Sequence, residues 1–239
     1  MLSLVIPVLN EAAGLPLLLD RLREQFPDAE LIVVDGGSDD RSVAAAMPGA
    51  DCVLLGPRGR AAQMNLGGRS ARGDWLGFLH SDTLPQFNAR ELGETLQGDR
   101  DWAFCRIHLH GRSRGLGVIA WFMNHRSRLT RVATGDQFLL VRRPVFEQLG
   151  GFGAMPLMED VEFCKRLRRD GAPAVLSLTV ASSGRRWDEQ GLVKTVLQMW
   201  GLRLAYWLGV SPRRLWEFYY GARSPGLRGK STERGGARP

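Results

Sequence analysis

Short apolar runs, each followed by a polar or acidic residue and then an amphipathic stretch, fill the first half of the chain and narrow its possible folds. Leu2-Ser3-Leu4-Val5-Ile6-Pro7-Val8 reads as a buried strand, and Asn10 to Phe26 carries Leu15, Leu18, Leu19 and Leu22 at helical spacing. Leu31-Ile32-Val33-Val34 and Cys52-Val53-Leu54-Leu55 read as the next two strands. A helix containing Ala61, Ala62, Met64 and Asn65 then leads to a fourth, Trp75 to Leu79. This order predicts an α/β fold, a mostly parallel sheet flanked by helices. Ligands of such open sheets bind beyond the carboxyl ends of the strands. Asn10, Asp35, Ser81 and Asp82 should therefore face one crevice.

The second half is mixed. Trp102 to Leu109 and Asp136 to Val141 look like strands, and Glu159 to Arg169 like a helix. From Gly191 the pattern is helical and rich in Trp, Tyr and Leu. From Arg223 onward Gly, Arg, Ser and Pro leave almost nothing to bury, which predicts disorder. The expected organisation is a nucleotide-binding domain over 1–190, an amphipathic helical appendage over 191–222, and a basic tail over 223–239. Cys52, Cys105 and Cys164 lie far apart in apolar stretches, the usage of buried thiols in a reducing compartment. No signal peptide or uninterrupted membrane span is visible, so the expected location is cytoplasmic, with attachment to the inner face of the membrane left open.

That attachment is suggested by charge and by the last helices. The net charge of +7 favours anionic partners: nucleic acid, lipid headgroups or phosphorylated small molecules. Val193, Val196, Leu197, Trp200, Leu204, Trp207 and Leu208 form an apolar stripe rimmed by Lys194, Arg203, Arg213 and Arg214. Trp and Tyr beside Lys and Arg is the composition of interfacial helices. A stripe packed on the catalytic domain or on a second subunit has the same periodicity. Nucleic acid is disfavoured, because the chain has neither a zinc pattern nor an RNP-like aromatic motif, and its cations are scattered.

Several residues have the chemistry of a site. Asp35 sits in Val-Val-Asp-Gly-Gly-Ser-Asp-Asp, where glycines let backbone approach a ligand, whereas Asp40 is better read as a helix cap. His80 and Asp82 are two apart, so on extended chain they face one side and could share a metal ion, Mg²⁺ or Mn²⁺; a helix cap by Ser81 or Asp82 fits equally. Arg58 and Arg60 offer guanidiniums for phosphate, or simply a solvated helix start. Glu159-Asp160 opens a helix after the apolar loop Met155 to Met158, a position that stabilises an ionised carboxylate.

In order, these pieces resemble the inverting family 2 glycosyltransferases of GT-A fold. The matching segments are Val5 to Glu11, Ile32 to Asp40, Gly59 to Gly67, Gly73 to Thr83, Gly150-Gly151-Phe152 and Glu159 to Phe163. More narrowly, the chain is similar to a small bacterial subfamily with His-x-Asp in place of Asp-x-Asp. The resemblance implies that Pro7, Glu11 and Asp35 line the nucleoside pocket, with Arg58, Arg60, Asn65 and Ser81 beside the nucleotide sugar. It implies Asp82, with His80, as metal ligands, and Asp160 as catalytic base with Glu159 beside it. Gly36 stands where a second acid is common. Arg186-Trp187 keeps only part of the motif of processive synthases, which favours single addition.

The implied reaction moves one sugar from a nucleoside-diphosphate sugar, a UDP-sugar first, to an acceptor hydroxyl, and the helices make a lipid-linked acceptor one candidate. A sugar-nucleotide nucleotidyltransferase would need a basic, Gly-rich first loop, and Asn10-Glu11-Ala12-Ala13-Gly14 has no basic residue. A catalytically inactive membrane-surface protein would have no use for Asp82 and Asp160.

Overall fold

The computed structural model describes residues 1–96 and 98–221, so the tail expected to be disordered lies outside the described residues. Strands β1 (Leu2–Val8), β2 (Glu30–Asp35), β3 (Cys52–Leu55) and β4 (Trp75–Phe78) run parallel. Strands β1, β2 and β4 are buried on both faces because helices cover both sides, whereas the edge strand β3 is only partly covered. Helix α1 (Leu15–Gln25) buries Leu15, Leu18, Leu19 and Leu22, the four leucines that its spacing predicted, although it starts later than Asn10. Helices α2 (Ser42–Ala46) and α3 (Arg60–Ser70) complete this half.

The sheet continues through β5 (Thr83–Pro85), β6 (Trp102–His110), β7 (Leu139–Arg142) and β8 (Ala174–Ser183), in the order β3-β2-β1-β4-β7-β6-β8-β5. Strand β7 lies antiparallel to both β4 and β6. This mixed sheet with its flanking helices is the GT-A, Rossmann-like architecture. Helices α4 (Ala89–Thr95), α5 (Leu116–Thr130), α6 (Arg143–Gln148) and α7 (Glu159–Asp170) intervene. Helices α8 (Arg185–Gln190), α9 (Leu192–Trp207) and α10 (Pro212–Gly221) end the described chain.

Two expectations need correction. The strand expected from Asp136 begins only at Leu139, because Gly135–Gln137 forms a 3₁₀ turn. Buried Gln137 holds that turn by accepting hydrogen bonds from Thr134 N–H at 3.1 Å and Ser127 Oγ at 2.6 Å. Arg203, expected on the rim of the apolar stripe, is half-buried in the wall of a cavity instead. The stripe itself stays outside the core, which takes other residues of α9 and α10. Leu202 of α9 and Leu215 and Tyr219 of α10 join the main core. Val193, Leu197, Trp200, Leu204, Trp207 and Leu208 are exposed, as are Trp121 and Phe122 of α5. Among the described residues, no helix is long and apolar enough to cross a membrane.

Candidate active site

Parallel pairing brings the ends of β1 and β2 together, with Val8 opposite Asp35, and β4 joins through Val5 opposite Phe78. The chain leaves β4 at His80. Because β7 runs antiparallel to β4, with Phe78 opposite Leu139, residues just before β7 meet residues just after β4. That pairing brings Asp136 to His80, whose Nδ1 lies 3.0 Å from Asp136 Oδ1. Ligand atoms of His80, Asp82 and Asp136 all lie within 4.8 Å of one another. Burial works against ionisation of Asp136, but the hydrogen bond and charge of His80, with the Arg60 and Arg186 charges, outweigh it and hold the carboxyl at about 2. The Asp136 side chain nonetheless keeps 40% of its surface exposed, toward the cavity it lines. Gly135 makes this approach feasible, since a Cβ there would lie 2.3 Å from His80 Cε1 and Nε2.

The same turn holds the acid pair of α7. Asp160 Oδ2 accepts from Gly135 N–H at 3.0 Å, and Oδ1 accepts from Val161 N–H at 2.7 Å. Glu159 is buried, and its carboxyl is pushed up to about 7 by desolvation and by the neighbouring Asp160 charge. Buried Met158 precedes the pair in the left-handed region at φ 69, an uncommon conformation outside glycine that fixes how the helix enters the site. The far side of α7 is anchored by Arg166, which donates to Glu162 and to the carbonyls of Leu149 and Gly151 at 2.6 Å.

A cavity of about 1080 Å³ opens over these groups. Of the residues singled out in the sequence, it brings together Arg60, His80, Asp82, Glu159 and Asp160. Desolvation opposes the charge of Arg60, but Asp136 and Glu159 outweigh it and raise its pKa. Pro7, Glu11, Asp35, Arg58, Asn65 and Ser81 do not line this cavity. Asp35 is buried at the end of β2, and its carboxylate accepts from Gly37 N–H, Ser38 N–H and the Ser38 hydroxyl. Glu11 N–H donates to Ser42 Oγ at 2.8 Å, and Asp40 accepts from Ser42 N–H and Ala12 N–H, although the N-cap of α2 is Arg41 rather than Asp40. Both ends of the Asn65 amide are engaged by the Phe152 backbone, at 2.8 and 2.7 Å. Buried Gln63 ties the strand ends, donating to the carbonyls of Val8 and Val34.

Asp136 and Arg126 line the cavity and were not singled out as site residues in the sequence, and Arg186, noted there only as part of the Arg-Trp pair, lines it too. The signal for Asp136 was present in Thr134-Gly135-Asp136-Gln137, a glycine and an acid between apolar segments. Its partner could be found only from the antiparallel pairing of β7 with β4.

The GT-A architecture points to glycosyltransferases, and comparison with known proteins agrees. The family described as Glycosyl transferase family 2 matches residues 3–150, and the chain belongs to that family. An uncharacterized glycosyltransferase of Haemophilus influenzae is 35% identical over 184 residues, 71% of this chain, and the chain spans 63% of that relative's length. Among solved structures, the mannosyltransferase PcManGT of Pyrobaculum calidifontis, in complex with GDP-Man and Mn²⁺, superposes with a TM-score of 0.62 at 19% identity. That match covers 93% of this chain and 68% of the other. S. aureus TarS, in complex with UDP, gives 0.61 at 16% identity over 76% of this chain and 60% of its own.

Proposed function

We propose that the chain transfers a single sugar, with inversion, from a nucleoside-diphosphate sugar to an acceptor hydroxyl, with Asp160 as general base. One observation carries this reading. The turn at Thr134–Gln137 contributes Asp136 to the cluster with His80 and Asp82, and its Gly135 N–H holds Asp160. A leaving-group site and a proton acceptor are thereby fixed to one piece of backbone.

Two carboxylates and one imidazole suit Mn²⁺ better than Mg²⁺, since imidazole favours transition metals. His80, Asp82 and Asp136 would hold the ion, which when bound supplies positive charge to the diphosphate leaving group. The His80-x-Asp82 pair thus lacks one carboxylate of the common pattern, and Asp136 provides it from the 3₁₀ turn before β7. Arg60, drawn toward Asp136 and Glu159, adds charge to the same end of the cavity. Asp160, oriented by two backbone N–H groups, takes the proton from the acceptor hydroxyl as that oxygen attacks the anomeric carbon. Attack from the face opposite the leaving group inverts that carbon.

We assign the nucleoside to the ends of β1 and β2, at Pro7, Glu11 and Asp35, with Arg58 and Ser81 at the rim. Asn65 acts there by holding Phe152 rather than by touching ligand. The UDP of TarS and the GDP-Man of PcManGT support a nucleotide donor, and a UDP-sugar is the first to test. In this reading 1–190 is the transferase domain and 191–222 its helical appendage. The appendage's exposed Trp and Leu face favours a peripheral position on the inner, cytoplasmic face of an anionic membrane.

Asp160→Asn tests the reading. The amide keeps the shape but accepts no proton, so turnover should fall on the order of 10²-fold or more with donor affinity nearly unchanged. Retention of more than about a tenth of the activity would remove Asp160 as the base.

A further inference from the structure

Two arginines line one cavity, and among the described residues neither has a carboxylate partner. Arg126 of α5 and Arg203 of α9 line the cavity that holds Asp160. Among the described residues, no carboxylate oxygen lies within 4.0 Å of either guanidinium. Arg126 donates from Nη2 to Ser127 Oγ at 2.9 Å, while its buried Nε has no hydrogen-bond partner. Burial, and then the Arg203 charge, push Arg126 down to about 10. Like charges lining one cavity repel, and an entering anion relieves both that repulsion and the unmet donor.

The rest of the wall shows what kind of anion. Ile119, Met123 and Arg126 stand at i, i+4 and i+7 on α5, and Val196, Trp200 and Arg203 repeat that spacing on α9. Such spacing sets each trio along one helix face. The first turns of the two helices also border one smaller apolar pocket, between Val118–Ile119 and Leu192–Val193. A trough therefore runs from apolar at the helix starts to basic beside Asp160. Two further cations, Arg60 and Arg186, line the same cavity and are available to the donor.

We propose that this trough is the acceptor subsite and that the acceptor is a phosphate-bearing lipid. Its phosphate lies between Arg126 and Arg203, its chain in the groove between α5 and α9, and its hydroxyl at Asp160. The role given to that hydroxyl rests on the glycosyl-transfer reading above. A small phosphorylated acceptor would use the arginines but leave the apolar groove unfilled.

The probes are dihexanoyl phosphatidic acid below its micelle concentration, glycerol 3-phosphate and dihexanoyl phosphatidylcholine. Each is titrated calorimetrically onto the full chain. The phosphatidic acid should bind about tenfold or more tighter than either of the others, having both an anion and chains to bury. Arg126→Gln with Arg203→Gln should weaken it about tenfold or more, whereas the two lysine replacements should retain most of the affinity. Trp200→Ala, at an exposed position, should weaken phosphatidic acid and leave glycerol 3-phosphate unchanged; this variant and the lysine pair carry the test if the glutamine pair does not fold. Equal binding of glycerol 3-phosphate would overturn the lipid assignment, and equal binding of phosphatidylcholine would overturn the phosphate site. Donor binding with Mn²⁺ is measured on the same samples. Donor binding without any phosphatidic acid binding overturns this proposal alone, and the converse overturns the glycosyl-transfer reading alone.

Discussion

Gly135→Ala is the smallest change that should separate the two halves of the proposed machinery. The new methyl carbon would stand 2.3 Å from His80 Cε1 and Nε2, where ordinary van der Waals contact begins at 3.4 Å. The ring, the turn or both must therefore give by about 1 Å, a gap that packed groups do not absorb freely. The ring is poorly placed to do so, being buried and held at 3.0 Å to Asp136 Oδ1. If the turn moves instead, it loosens the Gly135 N–H bond to Asp160. Either movement misplaces a reacting group by about 1 Å, a displacement that can cost on the order of 10²-fold in rate. Overpacking of this kind destabilises by about 1–3 kcal/mol, so the variant should remain folded at room temperature. The assays are Mn²⁺ binding followed by electron paramagnetic resonance and release of nucleoside diphosphate from the donor. Mn²⁺ affinity should weaken about tenfold or more, as when groups that orient metal ligands are disturbed. Binding and release both within about threefold of the unaltered protein would refute the reasoning, because a 1 Å displacement should cost far more.

Glu159 gives a stability signature in EDTA. Its carboxyl titrates near its usual 4.5 in the unfolded chain and about 7 in the folded one. Between these values the folded state binds the extra proton, so stability should fall as pH rises from 4.5 to 7 and level off above. The fall should approach about 3 kcal/mol, and Glu159→Gln should abolish it; an identical slope in thermal melts of that variant would contradict the assignment. The exposed face of α9 should take the protein to anionic vesicles in flotation at low salt, with binding weakened as salt rises. No flotation with anionic vesicles at low salt would remove the membrane reading.

How much of this was legible in the sequence follows from burial. Strands β1, β2 and β4 were readable because helices cover both their faces, which leaves runs such as Leu31-Ile32-Val33-Val34 almost purely apolar. Helix α5 was not, since Asn124, His125 and Arg126 interrupt its apolar pattern, and Trp121 and Phe122 face outward. Strand β8 alternates irregularly between buried and partly exposed positions, so its period is weak. Within the site, His80, Asp82, Glu159 and Asp160 follow local signals, a strand end and a helix start. Asp136 depends on which strand lies beside which, and local pattern does not contain that. Arg203 belongs to a helix whose periodicity reveals a stripe but not what faces it, and Arg126 to the helix that the pattern did not reveal.

The central claim is that this chain binds a nucleoside-diphosphate sugar through a metal held by His80, Asp82 and Asp136. Calorimetric titration of UDP-sugars and GDP-sugars, each with Mn²⁺ and with EDTA, tests it most directly. The account predicts saturable binding of at least one nucleotide sugar with Mn²⁺, weakened about tenfold or more in EDTA and in Asp136→Ala. Binding that is indifferent to both EDTA and Asp136→Ala, or no binding of any nucleotide sugar by folded protein, would contradict it.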